Sequence, residues 1–114
     1  MRFLVAALLL CAVPAHAHGP AQWIQDQNLK NGMGELCCGE SDCGYMVSGS
    51  VTPVPGGYRV DAVFRIEPPN REPILQEVHE VVPYNQASIS PTGEYWRCQW
   101  GGERKCFFVP NSGS

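Results

Sequence analysis

YRVDAVFRIEPPNREPILQEVHEVV, residues 58–82, decides the fold of this chain. Across Tyr58–Glu67 the apolar side chains fall on alternate positions, Tyr58, Val60, Ala62, Phe64 and Ile66, with Arg59, Asp61 and Arg65 between them. Period two over ten residues is the pattern of a strand with one buried face. Pro68-Pro69-Asn70 ends it, and ILQEVHEVV (74–82) reads as an antiparallel partner reached through the PPNRE turn. Pro83 stops the pairing because proline has no N–H to give to a ladder.

Outward from this pair the chain is a series of short elements. TyrMetValSer (45–48) reads as a short strand, and SVTPVPGG (50–57), with two prolines and two glycines, reads as a turn. Asn85 to Glu94 is polar with a Pro-Thr-Gly turn. Tyr95–Trp100 and Arg104–Val109 flank Gly101-Gly102-Glu103 as a hairpin with a three-residue loop. On the N-terminal side, Gly19-Pro20 opens a helix over Ala21–Lys30 with Trp23, Ile24 and Gln27 on one face, and Asn31-Gly32 closes it. GELCCGESDCG (34–44) has no apolar period and reads as a loop. The fold class is therefore a small, mainly antiparallel α+β domain: a short N-terminal helix, a cysteine loop, and a twisted sheet of about four or five short strands. With 12 glycines and 10 prolines among 114 residues, turns dominate over long helices.

Residues 1–17 carry an export signal. Arg2 precedes an apolar run, FLVAALLLCAV (3–13), Pro14 breaks it, and Ala15-His16-Ala17 has the small-x-small form of a cleavage site. The run is shorter than the ~20 residues needed to span a bilayer. Leu10 before Cys11 does not fit a lipidation site, so Cys11 leaves with the signal. Residues 18–110 then form one domain, with 111–114 as a flexible tail. The expected location is the periplasm or the outside medium, with no membrane anchor after cleavage. Removal of Arg2 makes the mature chain one unit more acidic than the formal −3 of the full sequence. The basic residues are scattered and read as solvated surface charge, which disfavours nucleic acid as a partner.

Export makes disulfides the default use of the remaining thiols, Cys37, Cys38, Cys43, Cys98 and Cys106. Cys98 and Cys106 are symmetric about Gly102, so a hairpin centred there puts them opposite each other and makes them the best single pairing. The alternatives are Cys37 or Cys38 with Cys43 across the loop, or a bond from that loop to Cys98 or Cys106. The odd count leaves one thiol unpaired in a monomer.

Three functions compete on these residues. The leading one is a non-enzymatic, disulfide-stabilised binding or structural module with a protein or small-ligand partner. Tyr95, Trp96, Trp100, Phe107 and Phe108 crowd the last hairpin, and rings left outside the core would form its binding surface. The second is a copper or zinc protein. After cleavage His18 offers an amine and an imidazole together, with His79 as a third nitrogen, and the cysteine cluster with Glu40 and Asp42 is the other donor set. No cofactor is expected under the leading reading. The third is a thiol-based redox protein using Cys37 or Cys38, although C-x-x-C is absent. Glu77, His79 and Glu80 include acid–base residue types, with 77 and 79 on one face and 80 on the other.

GELCCGESDC (34–43), YRV (58–60), VP (82–83) and SPTGEYWRC…KCFFVP (90–110) resemble a group of small exported proteins of alphaproteobacteria that share a CC-x-x-x-x-C cluster and a C-terminal WRC…CFF segment. The resemblance implies an exported, compact architecture and implies no activity.

Overall fold

The computed structural model describes residues 20–39 and 41–111. The expected export signal (1–17), His18, Glu40 and the expected tail beyond Asn111 lie outside the described residues.

A six-stranded sheet forms the body of the domain. Its elements are α1 (Gln22–Asp26), β1 (Cys43–Val54), β2 (Gly57–Ile66), β3 (Ile74–Pro83), β4 (Ala87–Ser90), β5 (Trp96–Trp100) and β6 (Glu103–Pro110). The spatial order is β3-β2-β1-β5-β6-β4, antiparallel except that β4 runs parallel to β6. The alternation of residues 58–66 is realised: Val60, Ala62, Phe64 and Ile66 are buried, and β3 pairs with β2 in one uninterrupted register from Gly57↔Pro83 to Ile66↔Ile74.

Three elements differ from expectation. β1 runs on through SVTPV, which reads as a turn in sequence. Beyond Met46, among the described residues, β1 pairs only with β2, so Pro53 sits on a strand with no neighbour on its other edge, where a missing N–H costs nothing. The polar segment 87–90 is a strand, ASIS, held by pairing to β6 and not by any apolar period of its own. The helix is five residues long. Asn28 ends it with a positive φ of 50°, ahead of Asn31-Gly32, and Gln27 is exposed.

The sheet is rolled. β3 and β4 stand at opposite ends of the strand order, yet only Tyr84–Gln86 separates them in sequence. Six flat strands would put those edges about 24 Å apart, whereas the four peptide steps from Pro83 to Ala87 reach at most about 14 Å. The concave face holds Val60, Ala62, Phe64, Val78, Val82 and Phe107. The opposite face holds Trp96, Phe108 and the disulfides beneath α1, with Ala21 and Ile24. Successive side chains of a strand point to opposite faces, so Phe107 and Phe108 serve one core each.

Inside the roll lies a polar network. Glu80 on β3 accepts from Arg97 Nε at 2.8 Å and from Arg97 Nη2 at 3.2 Å, and is 3.1 Å from Arg104 Nη1. Arg97 Nη1 donates to Gln99 and Gln76. The Arg97 side chain is only 7 % exposed, which corrects its reading as a solvated surface charge. Lys105 is corrected likewise: 8 % exposed, it pairs with Glu35 at 3.0 Å and sits over the Trp100 ring.

Candidate functional site

Cys43, Cys98 and Cys106 form a row across β1, β5 and β6, because Cys43 opposes Cys98 and Cys98 opposes Cys106. Cys98 therefore has a cysteine neighbour on each side. It bonds to Cys43, and Cys106 bonds to Cys37 of the overlying loop. The expected opposition of Cys98 and Cys106 holds; their expected bond does not. The loop between β5 and β6 is two residues, Gly101-Gly102, both at positive φ, and a register shift after Cys98 absorbs the difference. Trp100 consequently opposes Glu103 and not Arg104. A Cys98–Cys106 bond would have closed only the hairpin, leaving the cysteine loop untethered. The observed bonds span 55 and 69 residues and tie that loop to the sheet.

The tethered loop and α1 border a half-open cavity of about 370 Å³. Ile24, Leu29 and Leu36 supply its apolar lining, and Asn28, Cys38, Ser41 and Asp42 its polar side. Its walls are held from three directions. Cys37 is bonded to β6, its N–H donates to the Leu29 carbonyl at 2.8 Å, and Trp100 Nε1 donates to the Leu36 carbonyl at 3.0 Å. Gly39 brings the loop against α1 so closely that a Cβ there would lie 2.6 Å from Gln25 Cβ. Within this frame Cys38 has a left-handed φ of 68°, uncommon for a residue with a side chain.

Cys38 is the free cysteine among the described residues. Burial pushes its thiol above the ordinary range, and the adjacent Asp42 carboxylate pushes the same way. Burial also raises Asp42, opposed in part by its hydrogen bond with Cys38. The pair is a neutral thiol beside a carboxyl group, a hydrogen-bonding corner rather than an activated nucleophile.

The other sequence candidates lie elsewhere. Trp96, Phe107 and Phe108 are buried. Tyr95 is half-buried against Phe107, and Trp100 is half-buried on the cysteine loop. The five aromatics therefore form core and clamp instead of an outward surface: β5 and β6 are covered on one face by α1 and on the other by the roll, and neither covering follows from local alternation. His79 is exposed on the convex face, with Nδ1 2.9 Å from Asp61 and Nε2 2.9 Å from Glu77. The hydrogen bond to Asp61, then that to Glu77, raises its pKa. Both ring nitrogens are thus engaged. Among the described residues no three His, Cys, Asp or Glu side chains converge as a metal site. Glu80 points into the roll, away from His79 and Glu77, and meets Arg97 there.

Sequence reasoning missed the cavity, whose two walls, 24–29 and 36–42, are folded against each other by the Lys30↔Leu36 bridge and the Cys37 N–H to Leu29 carbonyl bond and not by any apolar period. It also missed the Glu80–Arg97 pair. A signal for the latter was present: Glu80 has the parity of buried Val78 and Val82, and an inward carboxylate needs a cation.

Comparison with protein-family models, with curated proteins and with solved structures finds no match for this chain.

Proposed function

We propose that this chain is an exported, non-enzymatic binding module that takes a small ligand in the cavity between α1 and the cysteine loop. The observation that carries the reading is the convergence of the Cys38 thiol and the Asp42 carboxyl, beside Asn28 and Ser41, on a pocket of about 370 Å³ whose other side is apolar. That volume lies in the range of small-molecule sites, and an apolar wall with a few convergent polar groups is their usual composition. The ligand class that fits has an apolar body lying on Ile24, Leu29 and Leu36 and a hydrogen-bond donor, an amine or a hydroxyl, directed at Asp42. Two disulfides support formation in an oxidising compartment and hold the walls in place before a ligand arrives. The raised thiol pKa favours binding over thiol catalysis, because the nucleophilic form is the thiolate.

Nuclear magnetic resonance titration with phenethylamine and with benzyl alcohol tests this. Saturable shifts confined to Ile24, Leu29, Leu36, Cys38 and Asp42, lost when Leu36→Trp fills the cavity, are expected. Non-saturating shifts at millimolar ligand, or shifts that persist in the Leu36→Trp variant, would exclude the site.

A further inference from the structure

β3 is a ten-residue strand at the end of the sheet, and among the described residues it pairs only with β2. Its register against β2 contains no bulge, and no proline interrupts it before Pro83. Long, flat, unbroken edges are templates for another strand, and most proteins interrupt them. The convex side of this edge carries Leu75, Glu77, His79 and Val81, all exposed, with Leu75 at 63 % and Val81 at 43 %.

The order of these four side chains is self-complementary. When two copies of β3 run antiparallel about a twofold axis at Val78, Leu75 of one copy opposes Val81 of the other, and Glu77 of one opposes His79 of the other. The pattern repeats on the far side of the axis, so two apolar pairs flank two opposite-charge pairs. On the concave side Gln76 opposes Glu80, whose charge Arg97 and Arg104 already balance. Neighbouring symmetric registers lose this match. Centring on Glu77 sets two carboxylates face to face, and centring on His79 sets two imidazoles face to face and Glu77 against Val81. Directly opposed like charges destabilise a strand pair, and opposed unlike charges stabilise it.

We infer that the partner of the β3 edge is a second copy of this chain, joined antiparallel through residues 74–82 with Val78 on the twofold axis and Glu77 opposite His79. The contact is isologous, so it closes at two copies. It continues the sheet from one copy to the next, with main-chain hydrogen bonds giving affinity and the four convex side chains fixing register.

Sedimentation equilibrium of the oxidised protein at about pH 6, where histidine carries charge, tests the inference. The apparent mass should rise towards twice the monomer between about 10 µM and 1 mM, as for a small interface. Leu75→Glu and Val81→Glu each place a carboxylate against an apolar residue of the other copy. In the monomer these positions oppose Arg65 and Arg59, so the fold tolerates the charge. Each should weaken the dimer by about tenfold or more, because both symmetry-related pairs are lost. Ile89→Glu, on β4 and as exposed as Leu75, should leave it unchanged. Hydrogen exchange of the unmodified protein, which needs no variant to fold, should show protection of amides in 74–82 growing with concentration. A monomer at 1 mM, dimerisation insensitive to both β3 substitutions, or protection arising outside 74–82 would each overturn the inference.

Discussion

Cys98 and Cys106 face each other directly across the β5–β6 pairing, and neither is bonded to the other. Each reaches outward, Cys98 to the start of β1 and Cys106 to the loop under α1. Two opposed positions of one hairpin therefore anchor the chain at Cys37 and at Cys43. The loop that lines the cavity is thereby pinned near both ends.

Removing either bond should be costly. Cys43→Ala/Cys98→Ala and Cys37→Ala/Cys106→Ala should each lower stability by about 2–5 kcal/mol in urea denaturation. Small domains have only about 5–15 kcal/mol in total, so loss of both bonds should leave the chain largely unfolded. Loss of Cys37–Cys106 alone should also open the cavity and raise hydrogen exchange across residues 34–39.

Arg97→Met should destabilise by about 1–3 kcal/mol, because it removes the two-pronged partner of the Glu80 carboxylate and leaves Arg104 alone to pair it. Burial pushes Glu80 upward, but Arg97 and then Arg104 outweigh it and hold the carboxyl below its usual range. A lowered folded pKa gives stability that is complete above the unfolded value of about 4.3 and lost as pH falls through the folded value. Urea midpoints should therefore decline on the acid side below about pH 4, and Glu80→Gln should flatten that decline.

The sign is opposite for His79. Its folded pKa is raised by Asp61 and Glu77, so its stabilising contribution is complete below about pH 6.5 and disappears as pH climbs through the raised value. Proton resonance titration should place His79 above an unperturbed histidine, and Asp61→Asn should bring it back towards the ordinary value.

Cys38 should react slowly with iodoacetamide at neutral pH, since burial and Asp42 both disfavour its thiolate. Asp42→Asn should speed the reaction by removing the adjacent charge. Burial persists in that variant, so the rate should stay below that of a free cysteine.

How much of this could be read from sequence follows from where each signal resides. β2 was legible because Val60, Ala62, Phe64 and Ile66 alternate within one strand and bury one face, and β3 because ILQEVHEVV follows it through the PPNRE turn. β4 was not, because Ser88 and Ser90 carry no apolar period; its place depends on the three-residue crossing from β3 and on pairing with β6. Pro53 disguised the outer half of β1, since a proline on an open edge looks like one in a turn. The cysteines were legible as a set, and the opposition of Cys98 and Cys106 was too. Their partners were not, because a row of three cysteines offers Cys98 two neighbours, and only the packing of the loop decides between them. The aromatic hairpin misled for a related reason: alternation assigns Phe107 and Phe108 to opposite faces, but not that both faces are covered.

Non-reducing peptide mapping of the protein produced in an oxidising compartment, with fragmentation to separate Cys37 from Cys38, tests the central claim most directly. The account predicts Cys37 linked to Cys106, Cys43 linked to Cys98, and, among the cysteines from 37 to 106, Cys38 alone carrying an alkylating label. A Cys98–Cys106 link, or label on Cys37, Cys43, Cys98 and Cys106 of a folded protein as well as on Cys38, would contradict it.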